Sequence, residues 1–282
     1  MLGRLTAGLF FLLLVWGNLV AGMKAGLGCP DWPLCHGRVV PPYRWDIYME
    51  FGHRVIAATA TVALAFLVYR RFRDYDGWAK AVPLVAVLLV AAEIVMGGLV
   101  VILELPVRLT TFHFMAGILV FLLVLYMAGF DGLSAKPVFP AREAGGLFLA
   151  VAVLVFLQAA LGAYVRHSGS GLACPDFPLC NGGIIPPVLD GYTMAQFSHR
   201  MFAYFIFLTS LALYAFTATD QRQARNKGLA VALVALVAVQ IAVGAAVVLT
   251  GLYYPATALH LAVAVVMLSV AGAIWARQAT TA

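Results

Sequence analysis

Two short stretches, Glu50-Phe51-Gly52-His53-Arg54 and Gln196-Phe197-Ser198-His199-Arg200, carry residue types able to do chemistry. Each sits near the start of a long apolar segment, where an ionisable group is costly and marks a functional site by default. Two further histidines, His113 and His260, lie in later apolar segments. His53 and His113 lie about seven and about six residues into their segments, which at ~1.5 Å per residue places both ~10 Å deep. His199 and His260 repeat that arrangement. Two imidazoles at equal depth on neighbouring helices can grip one haem iron from opposite faces. Zinc or copper usually takes more than two ligands, which favours a macrocycle supplying the rest. A single such histidine is as readily a hydrogen-bonded core residue; two matched pairs point to ligation.

Glu50 precedes His53 by three residues, so the two share a helix face. Its carboxyl group can reach a haem edge and exchange protons, or it can pair with Arg54 or Arg44. A carboxyl group buried near a redox centre is where a perturbed acid does work. Gln196 can hydrogen-bond but cannot ionise, so only the first stretch is equipped for proton transfer. Arg54 and Arg200 follow the histidines directly. Their guanidinium groups suit haem propionates and equally suit interfacial anchoring; Arg166 shares both readings. Glu93 lies mid-segment with Gln240 as counterpart, and sequence gives no choice between a proton path and a neutral, hydrogen-bonded acid. His36 and His167 are expected on solvated loops.

The segments that must position these groups are membrane spans. The chain has 282 residues, 63% of them hydrophobic and only 11% charged, with a mean hydropathy of +0.97. That composition excludes a soluble domain. Eight segments are long enough to cross the roughly 30 Å hydrocarbon core, at 5–22, 46–69, 80–103, 107–129, 144–166, 193–217, 228–250 and 256–276. They must be helical, because lipid offers backbone groups no partners. The first is read as a retained helix and not a cleaved signal. The net charge of +6 does not point to nucleic acid, because the basic residues flank apolar runs. Eleven of the 18 Lys and Arg residues fall on one side and seven on the other. The richer side is expected to be cytoplasmic, with both termini there and the two long polar loops outside.

The chain repeats itself. Cys29-Pro-Asp-Trp-Pro-Leu-Cys35 matches Cys174-Pro-Asp-Phe-Pro-Leu-Cys180 at an offset of 145; His53 matches His199 at 146, and His113 matches His260 at 147. The expected architecture is all-α: two four-helix bundles related by a pseudo-two-fold axis along the membrane normal. Residues 1–135 form the first half and 136–282 the second. The cysteines lie in outward loops, an oxidising location. Cys29–Cys35 and Cys174–Cys180 are expected as local disulfides that staple a lid at each site, with a redox relay at Cys29/Cys35 as the less favoured alternative.

Taken together, these residues resemble the haem A synthase family. The resemblance covers nearly the whole chain: eight spans, two loop cysteine pairs, Glu50-x-x-His53, His113, His199 and His260. It implies a membrane oxidoreductase that oxidises a ring methyl of haem O to a formyl group, giving haem A for cytochrome oxidase assembly. By the same resemblance, His199 and His260 hold a haem b cofactor in the second half. His53 and His113 hold the substrate haem in the first, with Glu50 assisting catalysis. Further implied are a multi-pass location in the cell inner membrane and haem O synthase as the supplying partner. Exposed apolar surface suits a homo-oligomer. The chain departs from the family at one loop: Val165-Arg166-His167-Ser168-Gly169 has no arginine counterpart in Val20-Ala21-Gly22-Met23-Lys24. The competing functions are a di-haem, quinol-linked electron carrier, which predicts no Glu50/Gln196 asymmetry, and a non-catalytic haem chaperone or transporter.

Overall fold

The computed structural model describes residues 1–129 and 144–277. It contains eight long helices: α1 (Leu2–Gly22), α2 (Trp45–Asp74), α3 (Ala81–Ile102), α4 (Val107–Gly129), α5 (Ala144–His167), α6 (Gly191–Thr219), α7 (Lys227–Leu249) and α8 (Tyr254–Arg277). All eight are long and apolar enough to cross a membrane, so the chain is an all-α integral membrane protein. It divides into two compact units, Met1–Val138 and Phe139–Ala282. In the first, α1 packs on α2 and α4, and α3 on α2 and α4; in the second, α5 packs on α6 and α8, and α7 on α6 and α8. Each unit is therefore a closed four-helix bundle.

Most helix ends fall within three residues of those expected, and two of the differences bear on residues singled out above. Helix α2 runs five residues past the expected end, through Arg70, Arg71 and Arg73. Arg71 folds inward, donating to the Met127 carbonyl at 2.8 Å and pairing with Asp74 at 3.3 Å, which ties this charged turn to the end of α4. Helix α5 ends on His167, so that residue closes a helix instead of lying in a loop. At the start of α6, Asp190 accepts the Thr193 amide at 2.8 Å, satisfying an amide that the first helical turn leaves unpaired.

Apolar packing is unevenly distributed along each bundle. The largest fully buried side chains, among them Leu64, Leu67, Val124 and Met127 in one unit and Phe148, Leu233, Leu268 and Ile274 in the other, lie in the half remote from the cysteine loops. Tight packing of this kind holds helices together in lipid, where hydrophobicity alone does not. The half nearer the loops contains the histidines, glycines and carboxamide or carboxyl groups instead.

Both cysteine loops are disulfide-closed, with Cα–Cα distances of 4.7 Å for Cys29–Cys35 and 4.6 Å for Cys174–Cys180. Inside each, an aspartate organises the turn. Asp31 accepts the His36 and Gly37 amides at 2.6 and 2.7 Å; Asp176 accepts those of Asn181 and Gly182 at 2.7 and 2.8 Å. His36 is exposed in its loop, as expected, and its ring also reaches the Gly28 carbonyl at 2.9 Å, as the Asn181 amide reaches the Ala173 carbonyl at 3.0 Å. Both aspartates are held below the ordinary value of 3.8, first by the Gly37 or Gly182 amide. Such a depressed carboxyl favours the folded loop fully above pH 3.8, and the contribution disappears as pH falls through the lower folded value. The protection factors of the Gly37 and Gly182 amides, corrected for intrinsic exchange, should therefore be unchanged from pH 8 to 5 and fall below pH 3.8. Asp31→Asn should remove the pH dependence at Gly37 alone.

Candidate functional site

Each loop is fastened to the helix beneath it by one arginine. Arg54 donates to the carbonyls of Asp31 (2.8 Å), Leu34 (2.7 Å) and Cys29 (3.0 Å). Arg200 does the same to Asp176 (2.8 Å), Leu179 (2.6 Å) and Cys174 (2.6 Å). Arginine suits this task because its planar fork presents several fixed donors at once. Since Arg54 and Arg200 are the residues next to His53 and His199, the loop and the histidine-bearing turn move as one piece. Arg166, in the last turn of α5, is partly buried and makes other interactions.

The four intramembrane histidines each face a glycine across a helix contact, which sequence reasoning did not anticipate. A β-carbon on Gly17 would come within 2.9 Å of His53 Cε1; on Gly97, within 3.2 Å of His113; on Gly162, within 2.9 Å of His199; and on Gly244, within 2.9 Å of His260. The glycines keep the register of the internal repeat: Gly17 and Gly162 differ by 145, and Gly97 and Gly244 by 147. That coincidence of offsets was the available signal. His199 and His260 have ring centroids 6.4 Å apart with planes at 69°. The Nδ1 atoms of all four histidines are buried without a hydrogen-bond partner.

Glu50 and Gln196 are both buried, at 6% and 4% exposure, but they are held differently. Glu50 Oε1 lies 3.2 Å from Arg54 Nε. Gln196 leaves Arg200 alone and donates to the Gly171 carbonyl at 3.3 Å. The clamp arginine thus has a carboxylate partner in the first unit only. Above Arg200, the Phe177 ring lies 5.8 Å from the guanidinium. In the first unit, Trp32 instead lies against α3 where Gly98 leaves room, its Cδ2 2.8 Å from where a β-carbon would stand. The position matching Gly98 is Ala245.

Among the described residues no group of three or more His, Cys, Asp or Glu side chains is arranged to hold a metal ion. What each unit offers is a pair of imidazoles, able to supply two ligands to an ion whose other ligands come from elsewhere. Fold and site together define an eight-helix membrane protein with a half-buried histidine pair in each four-helix unit. Residues 2–271 match the COX15-CtaA model, described as cytochrome oxidase assembly protein. The heme A synthase of Symbiobacterium thermophilum is 35% identical over 250 residues, spanning 83% of this chain and 80% of that protein. The heme A synthases of Shouchella clausii and Halalkalibacterium halodurans are each 30% identical, spanning 88% of this chain and 86% of theirs. The chain belongs to the COX15-CtaA family of cytochrome oxidase assembly proteins.

The glycine seats make a direct expectation. Gly162→Ala drives a methyl group into the His199 ring, and overpacking of this kind costs ~1–3 kcal/mol. Gly272→Ala, where nothing lies within 4 Å, should be neutral or slightly stabilising. Thermal unfolding of the two variants in detergent compares them.

Proposed function

We propose that this chain makes haem A, the product in its relatives' name, by oxidising a ring methyl of haem O to a formyl group for cytochrome oxidase. The observation that carries this reading is a buried carboxyl group, Glu50, three residues from the half-buried His53 in one unit, with the buried amide of Gln196 at its counterpart in the other. The match over most of the chain to proteins named heme A synthase supplies the substrate. Residues 1–135 then take haem O between His53 and His113. Residues 136–282 hold haem b between His199 and His260. The two halves derive from one repeated unit, for which the common register of four motifs speaks.

The second pair fits a resident haem on its own geometry. Two ring centroids 6.4 Å apart accommodate one iron between nitrogens each ~2 Å from it, the usual metal–imidazole distance. The glycines opposite leave no β-carbon to crowd the rings. Bound there, haem b would supply a one-electron route.

Counted against water, conversion of the methyl to a formyl group adds one oxygen atom and releases four electrons and four protons. Glu50 is the group within the first unit suited to take up those protons and hand them outward. Arg54 Nε, 3.2 Å from its Oε1, keeps the carboxyl group aimed, and Arg54 ties it to the loop that closes the site. Arg54, Arg166 and Arg200 are the candidate cations for haem propionates, with Arg54 and Arg200 already giving three N–H contacts each to loop carbonyls. The disulfides hold those carbonyls in place.

The same proposal puts the chain in the cell inner membrane with both termini cytoplasmic and the cysteine loops outside, supported by the distribution of Lys and Arg. A membrane haem O synthase is the natural supplier. Lipid-facing apolar surface offers room for a homo-oligomer.

Glu50→Gln tests the reading. It should leave haem at His199/His260 intact and slow formation of haem A by about 10²–10⁴-fold, the usual contribution of a positioned acid–base group. A hydroxylated, partly oxidised haem should accumulate. Haem chromatography after co-expression with a haem O supplier measures both, and normal haem A levels would return Glu50 to a structural role. His199→Ala and His260→Ala should each abolish the low-spin haem b spectrum of the purified protein; a retained spectrum places that haem elsewhere.

A further inference from the structure

Glu93 is a half-buried carboxyl group that the reaction as written does not use. It lies in α3, and its Oε2 stands 3.0 Å from Nδ1 of His113 on α4. Glu93 Oε1 and His113 Nδ1 are both buried without a hydrogen-bond partner. The two side chains are interlocked. The His113 ring packs over Gly97, one turn from Glu93, and the Glu93 carboxylate packs over Gly117, one turn from His113. Neither group can move away without leaving the other's seat empty.

The second unit is built differently at the same place. Gln240 replaces Glu93 and its amide nitrogen lies 3.3 Å from Nε2 of His260, the other ring nitrogen. Ala264 stands where Gly117 stands in the first. Both carboxyl-for-amide differences, Glu50/Gln196 and Glu93/Gln240, therefore fall in the first unit and flank its histidine pair.

We infer that Glu93 is a positioning residue for His113: its carboxylate accepts the Nδ1–H, leaving Nε2 to bind iron. This rests on the reading that His53 and His113 hold the haem substrate. An imidazole binds metal through one nitrogen while the other's hydrogen bond sets tautomer and ring orientation. A carboxylate in that role makes the ring a stronger donor, and such partners are worth ~10–100-fold in affinity or activity. Stronger donation stabilises the oxidised iron and lowers its reduction potential. That favours a site whose bound haem must lose electrons. The amide of Gln240 carries no charge and cannot act in this way on His260.

The test uses full-length protein purified without haem O and titrated with it. Glu93→Gln keeps the side chain's size, so the bundle is retained. Haem O affinity in this variant should fall ~10–100-fold. The midpoint potential of the first-unit haem should rise, and the haem at His199/His260 should keep its potential. A fall in activity with affinity and potential unchanged would overturn the inference and make Glu93 a proton carrier. His113→Ala separates the two levels of argument. If haem O binds that variant as it binds the parent, the ligand assignment fails. If His113→Ala loses binding while Glu93→Gln changes neither affinity nor potential, the role given to Glu93 fails alone.

Discussion

The structure depends on placing imidazoles inside a helix bundle without crowding them. A ring on one helix needs space on the next, and four glycines provide it: Gly17, Gly97, Gly162 and Gly244 stand opposite His53, His113, His199 and His260. Glycine inside a helix costs roughly 0.5–1 kcal/mol relative to alanine. That cost makes sense only where the missing β-carbon is used. The close helix approach characteristic of membrane bundles, with small residues at the contact, here serves to seat a polar ring.

The division of each bundle into two zones follows from this. The remote half is filled by leucine, isoleucine, valine, methionine and phenylalanine packed to exclusion. The half near the loop carries histidine, glutamate, glutamine and glycine among buried apolar residues such as Ile47, Val101, Val165 and Val248. The loop covers this end. Its disulfide and its aspartate-centred turn make it rigid, and Arg54 or Arg200 binds it to the very turn that carries the histidine. Lid, clamp and imidazole form one continuous chain of contacts in each unit.

The two units use one plan with different chemistry. At two positions a carboxyl group in the first is an amide in the second, and each difference changes the contact made. Glu50 engages the clamp arginine, whereas Gln196 turns to the Gly171 carbonyl. Glu93 approaches Nδ1 of its histidine, whereas Gln240 approaches Nε2. A duplicated scaffold can in this way keep one site for holding a group and devote the other to reacting with it.

The sequence by itself determined the eight spans, the matched histidines, the local cysteine pairs and the Glu50/Gln196 difference. These are legible because hydrocarbon imposes length and apolarity on each span, and because charges and imidazoles stand out against that background. Local features carry such information: Cys29 and Cys35 are six residues apart, so their pairing needs no knowledge of the rest of the chain. Tertiary structure decided what depends on neighbours from distant segments. Arg54 was equally suited to a propionate or the interface, and only folding brings the carbonyls of Cys29, Asp31 and Leu34 to it. Glu93 had no partner assignable from its neighbours in the chain, because the relative rotation of α3 and α4 fixes which side chains meet. The seating glycines are invisible in composition for the same reason: a glycine matters there through the empty space beside it, and that space exists only once a second helix has packed against the first.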